Sequence, residues 1–241
     1  MRHSEKQGSE YWIRKLVNSK IKKVKTSLNE CIGRGNIDWL SPLEDDITGT
    51  YKEYRLNRGT IAKDLGFEKR LIKNWWPSGS PQPQWDAIGK TENGTIILVE
   101  AKAHIGETRT SCRASDKSKM KILDSFKLLH KELEAKTDFD EVKDIWLNEY
   151  YQTANRLLFL QNLNKYLDSD YVNNYFNPLK KSKVLLVFLN FVGTEYKKTS
   201  EKEWNEHTDE MIRALLGYGL IDLNRRNGIK FINYDVRNYK Y

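Results

Sequence analysis

Apolar residues recur at three- and four-residue spacing in several stretches of the chain, and this period is typical of helices with one buried face. In the first stretch, Trp12, Leu16, Val24 and Leu28 share such a face, and Gly33 follows as a C-terminal stop. Lysines fill the rest of this stretch and fit either a solvated face or a contact with nucleic acid. The predicted helices cover residues 9–32, 51–66, 115–136, 147–167 and 201–217.

Other stretches have the patterns of strands or loops. The run Ile96–Val99 is continuously apolar, as expected of a strand covered on both faces. Asn93-Gly94 just before it is a hairpin signal. The predicted strands are Gln84–Gly89, Thr95–Ala103, Lys183–Val192 and Phe231–Val236, residues 33–50 and 77–83 are predicted loops, and residues 137–146 fit no single element. The pattern indicates one α/β domain over residues 1–241, with a helical extension (1–40) before the core (41–241).

Composition narrows the function classes only modestly. The 41 Lys and Arg residues exceed the 33 Asp and Glu residues, for a net charge of +8. This excess fits a polyanionic partner and equally fits a surface with a basic bias. No apolar run is long enough to span a membrane, and no secretory signal is visible, so a cytoplasmic protein is expected. Cys31 and Cys112 lack metal-ligand spacing, the four histidines are scattered, and no P-loop is present, so neither a zinc centre nor a P-loop nucleotide site is expected.

Candidate chemistry gathers at the predicted hairpin. Glu-x-Lys occurs at residues 100–102, 134–136, 141–143 and 195–197, and only the first copy lies inside a strand pattern. Because strand side chains alternate, Glu100 and Lys102 should point to one face, about 6.6 Å apart along the strand. The hairpin should bring Asp86 alongside, facing Glu100.

Such a group is costly to bury unless its charges are paired or bound to a cation. Two close carboxylates repel, and Mg²⁺ would relieve this with oxygen ligands from Asp86, Glu100 and the Ala101 carbonyl. Lys102 could then orient a water, stabilise charge on a transferring phosphoryl group or, with a lowered pKa, act as a base. A salt bridge between Lys102 and either carboxylate, holding the hairpin, is the structural alternative.

Two segments of the predicted hairpin resemble the signature of a known protein family. The segment Pro83-Gln84-Trp85-Asp86, followed by Glu100-Ala101-Lys102, resembles the signature of the PD-(D/E)XK nuclease superfamily, and of a bacterial branch in particular. The similarity extends over about residues 37–193. It departs from the pattern before Asp86, where Trp85 stands and the proline is displaced to Pro83. Further matching segments are Trp39–Leu43, Glu53-Tyr54, Trp76-Pro77, Tyr151–Leu157 and Phe191–Gly193.

The resemblance implies a restriction endonuclease-like core, with a central mixed β-sheet flanked by helices. It implies a metal-dependent nuclease that hydrolyses phosphodiester bonds, of DNA rather than RNA, in defence, repair or mobile-element processing. Asp86 and Glu100 would bind Mg²⁺, or Mn²⁺ in its place, with Glu53 as a further acidic ligand. Lys102 would be the active-site lysine.

Four further polar residues are candidates for binding the substrate near Glu100 and Lys102. His104 continues the face of Glu100 and Lys102, and Gln152, Asn155 and Arg156 share one side of a predicted helix. All four are candidate substrate-binding residues, with structural roles as the alternative. The tryptophans at 75, 76 and 85 could stack on bases, but core packing explains them as well.

Two rival functions stay open. The first is a catalytically inactive nucleic-acid-binding module of the same fold, and the second is an interaction protein with a protein partner. Dimerisation is common where both DNA strands are cut, so a homodimer also stays open.

Overall fold

The hairpin predicted around Asn93-Gly94 lies in the middle of the observed sheet. In this computed structural model its strands are Ala87–Thr91 (β4) and Ile96–Lys102 (β5), which pair antiparallel. Gly94 has a φ of 82°, a left-handed conformation that glycine adopts without steric cost. The hairpin is therefore confirmed, and its first strand begins at Ala87 rather than Gln84.

Further strands and helices surround the hairpin. The structure describes residues 8–44, 51–52, 56, 72, 75–77, 82–167, 183–195 and 197–239. Within them the other strands are Ile37–Ser41 (β1), Leu43–Glu44 (β2), Tyr51–Lys52 (β3), Val184–Val192 (β6) and Ile229–Asp235 (β7). The helices are Ser9–Val17 (α1), Lys22–Ile32 (α2), Asp116–Glu132 (α3), Phe139–Asn148 (α4), Tyr151–Leu167 (α5), Glu201–Leu216 (α6) and Leu220–Asn224 (α7). Short 3₁₀ turns lie at Ile105–Glu107 and Val236–Asn238.

In the described part of the chain, five strands form one sheet in the order β1-β4-β5-β6-β7. β1, β4 and β5 pair antiparallel, whereas β5, β6 and β7 are parallel. The long connections between the parallel strands contain α3 to α5 and α6 to α7, as parallel pairing requires. The prediction of an α/β protein with a mixed sheet flanked by helices is confirmed.

Each face of the sheet has its own hydrophobic core, and β5 contributes to both. Leu98 packs with residues of α3, α4, α5 and α6, whereas Ile97 and Val99 pack with α1 and α2. By alternation Glu100 lies on the same face as Leu98. Its carboxylate is therefore placed under α5, and the N-terminal helices cover the opposite side.

The prediction of one continuous helix over residues 9–32 is wrong, because α1 ends at Val17 and α2 begins at Lys22. Asn18 explains the break. Its side-chain amide donates to the carbonyls of Arg14 and Pro42, and its side-chain oxygen accepts from the Glu44 N–H. These contacts end α1 and attach it to the start of the sheet. The predicted stop at Gly33 is confirmed by its left-handed φ of 67°.

The prediction of a loop over residues 33–50 is also wrong for β1 and β2. In β1 the side chains of Ile37 and Trp39 are buried and Asp38 is exposed, so the strand has the expected alternation. β1 has only five residues and lies between Gly35 and Pro42, so its alternation was too short to be recognised as a strand. β1 also crosses residue 40, the predicted boundary of the helical extension.

The helix predicted over residues 51–66 is wrong at Tyr51–Lys52, which pairs with β2 as a strand. Residues 53–55 and 57–66 of that prediction lie outside the described residues.

The C-terminal half follows the predicted elements closely. Most of the ambiguous stretch 137–146 belongs to α4, which starts where the Asp138 carboxylate accepts the Asp140 N–H and continues to Asn148. α5 begins at Tyr151 rather than 147. α6 has a capping box of Ser200 and Glu203 and ends at Gly217 with a φ of 72°. None of the described helices combines the length and apolar composition that a membrane crossing requires.

A candidate active site on the central hairpin

Glu100 and Lys102 lie on one face of β5, as predicted from strand alternation. Lys102 Nζ donates to Glu100 Oε1 at 2.5 Å, and the Glu100 side chain is only 2% exposed. The same three residue types recur as Glu134-Ala135-Lys136 just beyond α3, where the glutamate and the lysine are both exposed. Strand context therefore distinguishes two identical tripeptides, one buried and one in solvent.

Asp86 lies immediately before β4 and contacts the backbone of β5. One of its carboxylate oxygens accepts the Ala101 N–H at 2.7 Å, and its own N–H donates to the Val99 carbonyl at 3.1 Å. The Asp86 carboxylate is thereby fixed against the residue between Glu100 and Lys102. The predicted grouping of these three side chains is present.

The electrostatics of the two carboxyl groups differ. Burial, reinforced by the Glu100 charge, raises the pKa of Asp86 to about 7, although Lys102, the Ala101 N–H and Arg156 oppose the shift. For Glu100, burial alone would raise the pKa, but Arg156 and Lys102 outweigh it and hold the pKa below its usual value. Glu100 therefore stays ionised at neutral pH. Of the two carboxyl groups, Asp86 is the one whose ionisation is unfavourable.

Lys102 is a charged donor in this environment. Burial would lower its pKa, but Glu100 and Asp86 outweigh that effect and raise it. A lysine with a raised pKa holds its proton at neutral pH. Of the roles open from the sequence, orienting a water or stabilising negative charge fits this protonated lysine in the metal-free protein.

Helix α5 brings two further side chains to the cluster. Gln152 Oε1 accepts from Lys102 Nζ at 3.1 Å, and Arg156 Nε donates to Glu100 Oε2 at 2.6 Å. Their four-residue spacing puts both on one side of the helix. Each oxygen of Glu100 thus has a cationic partner, and Lys102 bridges β5 and α5.

Besides its ion pair with Glu100, Arg156 makes three further contacts. Its Nη2 donates to the Gln84 carbonyl at 3.0 Å, its Nη1 donates to Asn155 Oδ1 at 3.2 Å, and its guanidinium carbon lies 4.8 Å from the Trp85 ring centroid. Arg156 therefore joins the segment that leads into β4 to the carboxylate on β5. Local sequence gave no sign of this link, because its partners are far apart in the chain.

Two predicted site residues, His104 and Glu53, are not part of this hydrogen-bonded cluster as the structure describes it. His104 follows the end of β5, and its Nε2 is 3.6 Å from Glu107 Oε1. Burial lowers the pKa of His104, with Glu107 opposing and with Lys197 and Lys102 reinforcing the shift. Glu53 lies outside the described residues.

The tryptophans expected to stack on bases or to pack in the core are mainly core residues. Trp76 and Trp85 are buried, and both contact the Phe159 ring edge-on. Trp75 contacts the same ring, with centroids 4.7 Å apart.

A cleft that the sequence did not predict lies beside the cluster of Asp86, Glu100 and Lys102. It has a volume of about 540 Å³ and lies between α5 and residues 109–114. Gln152, Asn155 and Arg156 line it from the helix. Arg109 and Arg113 line the other side and are exposed. The only sequence signal was a short stretch in which these two arginines flank Thr110, Ser111 and Cys112.

The carboxylates of Asp86 and Glu100 are the candidate ligands for a Mg²⁺ ion. The described residues include no group of three or more His, Cys, Asp or Glu side chains placed to hold a metal. Asp86 and Glu100 form a pair of carboxylates, and Mg²⁺ commonly binds one or two carboxylates together with waters and phosphate oxygens. Burial and, to a lesser extent, the Glu100 charge raise the pKa of Asp86, and a bound cation would stabilise its charged form against both. The pair therefore fits a Mg²⁺ site whose remaining ligands come from water, the Ala101 carbonyl or a bound phosphate.

No family model, curated protein or solved structure matches this chain, so the comparisons assign it to no family.

Proposed function

We propose that this protein is a Mg²⁺-dependent nuclease that hydrolyses phosphodiester bonds of DNA, with a restriction endonuclease-like core. The observation that carries the proposal is the position of Lys102 Nζ, between Glu100 Oε1 and Gln152 Oε1 and on the same hairpin as Asp86. A protonated lysine held beside two carboxylates can contact a phosphate whose charge the carboxylates alone would repel.

Asp86 and Glu100 would hold the metal ion, with Mn²⁺ able to replace Mg²⁺. When bound, the ion supplies a polarised phosphate oxygen and a more acidic water. Glu100 retains acceptor capacity for this role, because a carboxylate offers about four lone-pair positions and Lys102 and Arg156 use two. Arg156 would keep the Glu100 side chain in place.

Lys102 and Gln152 would act on the substrate. Lys102 would donate a hydrogen bond to a phosphate oxygen or to the attacking water, and Gln152, which accepts from its ammonium group, would hold that group in place. In the net reaction, a water oxygen bonds to phosphorus, the bond to one ester oxygen breaks, and that oxygen leaves with a proton.

The net charge of +8 and the exposed Arg113 favour a polyanionic substrate, whereas Arg109 is paired with Glu149 at 2.8 Å. DNA is the substrate that the residue pattern of the hairpin implies by its resemblance to PD-(D/E)XK nucleases.

A second candidate function rests on one specific observation. Lys102 and Arg156 already neutralise Glu100, so this carboxylate is stabilised without a metal ion. The same fold could therefore bind nucleic acid without cleaving it.

A digestion experiment separates the two functions. The protein is incubated with single- and double-stranded DNA and RNA in Mg²⁺, Mn²⁺ or EDTA. The nuclease proposal predicts cleavage of DNA with either metal and none in EDTA. Binding of the same substrates without cleavage under all three conditions would favour the binding module.

A matched pair of variants guards against a contaminating nuclease. Glu100→Gln removes a proposed metal ligand, whereas Glu134→Gln makes the same change in the exposed copy of the tripeptide. Cleavage should be lost in the first variant and kept in the second. Equal loss or equal retention would contradict the assignment of Glu100.

A further inference from the structure

A pocket beside strand β7 has four cationic residues in its lining. It has a volume of about 690 Å³ and lies between the end of α2, the end of α7 and β7. The cationic residues are Arg34, Arg225, Arg226 and Lys230, and no aspartate or glutamate of the described chain lines the pocket. This volume falls within the range of about 300 to 1,000 Å³ for small-ligand pockets. The pocket therefore has the size of a ligand site and walls of a single sign of charge.

The pocket is separate from the candidate active site. Lys230 is level with Val187 on β6, which is level with Val99 on β5. The side chains of Val99 and Val187 pack with α1 and α2, and by alternation Lys230 faces the same side of the sheet. Glu100 faces the other side, under α5. A ligand at Lys230 would therefore lie across the sheet from the Glu100 carboxylate.

Arg34 and Lys230 are both half-buried at the end of α2. Lys230 Nζ donates to the carbonyl of Ile32, the last residue of that helix, at 2.7 Å. Arg225 and Arg226 each have a carboxylate partner, at 3.3 and 3.7 Å, outside the pocket lining. Within the described part of the chain, Arg34 and Lys230 have no such partner.

The charges of Arg34 and Lys230 disfavour each other. Burial lowers the pKa of Arg34, and no carboxylate opposes the shift. Burial, reinforced by the Arg34 charge, also lowers the pKa of Lys230. Both charged forms are therefore less favourable here than in water, and a bound anion would stabilise both.

The end of α2 explains only part of this arrangement. A cation near the C-terminal end of a helix is favourable, because the last carbonyls carry partial negative charge. Lys230 has this role through its bond to Ile32. Arg34 makes no hydrogen bond to those carbonyls or to any other group that the structure describes. A structural role therefore accounts for Lys230 and leaves the position of Arg34 unexplained.

Phosphate is the anion whose chemistry fits this pair. A guanidinium donates two parallel hydrogen bonds to phosphate oxygens, and an ammonium group adds a compact charge. A phosphate attached through one ester bond carries about −1.5 to −2 charge near neutral pH. That charge matches the two cations, whereas a phosphate inside a nucleic-acid chain carries only one negative charge.

We propose that Arg34 and Lys230 form a binding site for a doubly charged phosphate group in the pocket between α2 and β7. Two kinds of ligand carry this chemistry, a small phosphorylated compound and the terminal phosphate of a nucleic-acid strand. The site shares no residue with the candidate active site, so it does not depend on the proposed nuclease function.

Isothermal titration calorimetry with inorganic phosphate at pH 8 tests the site in the metal-free protein. Arg34→Gln and Lys230→Gln each remove one cation and keep a polar side chain. Each should weaken phosphate binding at least about tenfold, because each removes a charged hydrogen-bond donor. Absence of phosphate binding to the wild-type protein would overturn the proposal.

Arg213→Gln is the matched control. It lowers the net charge by the same amount, but Arg213 is outside the pocket lining and pairs with Asp209. The control should bind phosphate as tightly as the wild-type protein. Equal weakening in Arg34→Gln and Arg213→Gln would show a general effect of surface charge and would overturn the site.

Thermal unfolding separates binding from a structural role of Arg34. Without phosphate, Arg34→Gln should have a Tm equal to or above that of the wild-type protein, since it removes a partly buried charge that has no partner. Added phosphate should raise the Tm of the wild-type protein and leave that of Arg34→Gln unchanged. A lower Tm without phosphate, together with an unchanged response to phosphate, would contradict the proposal.

Two single-stranded DNAs of one sequence distinguish the kinds of ligand, one with a 5′-phosphate and one with a 5′-hydroxyl. Fluorescence anisotropy in EDTA measures their binding without cleavage. A nucleic-acid terminus as ligand predicts that the 5′-phosphate lowers the Kd at least about fivefold in the wild-type protein and not in Arg34→Gln. Equal Kd values for the two DNAs, with inorganic phosphate bound, support the site and assign it to a small phosphorylated compound. A 5′-phosphate preference that persists in Arg34→Gln would place the phosphate elsewhere and overturn the site.

Discussion

Arg156 Nε donates to Glu100 Oε2 at 2.6 Å, and the two side chains are only 5% and 2% exposed. The contact joins helix α5 to strand β5 under the surface of the protein. It holds the Glu100 carboxylate between Arg156 and Lys102, and it fixes the direction in which that carboxylate faces Asp86. The geometry of the candidate site therefore depends on a buried ion pair rather than on the hairpin alone.

Arg156→Ala should lower the free energy of unfolding by about 3 kcal/mol, because it leaves a buried carboxylate with one cationic partner instead of two. Urea denaturation measures the change. Arg156→Lys should recover only part of the loss, because an ammonium group cannot replace the three-way contacts of the guanidinium.

The control for this prediction is Arg213→Ala. Arg213 Nε is also 2.6 Å from a carboxylate oxygen, that of Asp209, but its side chain is 60% exposed. An exposed pair contributes about 1 kcal/mol or less, so the change should be small. Similar losses in the two alanine variants would show that burial does not determine the strength of the Arg156 contact.

Asp86 should make the metal-free protein less stable as the pH rises. Its pKa is about 7 in the folded protein against 3.8 for an ordinary aspartate. The folded state therefore binds more protons than the unfolded state between these values, and this contribution to stability is lost as the pH rises from about 4 to 7. Asp86→Asn removes the charge and should stabilise the metal-free protein by on the order of 2 kcal/mol at pH 8, and by little at pH 4.

Thermal or urea unfolding of both proteins at several pH values in EDTA provides the measurement. The difference between variant and wild type isolates Asp86 from other titrating groups. A difference that does not change with pH would contradict a raised pKa at this position.

Divalent metal ions should offset the loss of stability that the Asp86 charge causes at high pH, if Asp86 and Glu100 bind them. Mg²⁺ or Mn²⁺ at about 100 times its Kd should stabilise the wild-type protein by about 3 kcal/mol. The gain should be larger at pH 8 than at pH 5, because the ion competes with a proton for Asp86. Asp86→Asn should remove most of the gain. Equal stabilisation of variant and wild type would place the metal elsewhere.

The sequence predicted the hairpin and the face shared by Glu100 and Lys102 because both depend on local rules. The turn needs a residue such as Gly94 that tolerates a positive φ, and the strand needs the apolar run before Glu100. These rules act over a few residues, so they can be read from a short stretch. Helix α6 was predictable for the same reason, since Gly217 marks its end.

Features that depend on distant partners were not predictable in this way. The break between α1 and α2 depends on Asn18, whose side chain bonds Pro42 and Glu44 in the sheet region. The ion pair of Arg156 with Glu100 spans 56 residues. Periodicity placed Arg156 on a helix, but only the packing of that helix on the sheet shows that its guanidinium contacts a carboxylate rather than solvent.

The cleavage rate of Lys102→Ala, compared with that of Lys136→Ala, tests the central claim most directly. Both lysines follow Glu-Ala, but Lys102 contacts Glu100 and Gln152 whereas Lys136 is exposed. With Mg²⁺ and the DNA that the wild-type protein cleaves, Lys102→Ala should lose at least about 100-fold in rate. Lys136→Ala should cleave at the wild-type rate. Full cleavage by folded Lys102→Ala would contradict the assignment of this hairpin as a nuclease active site.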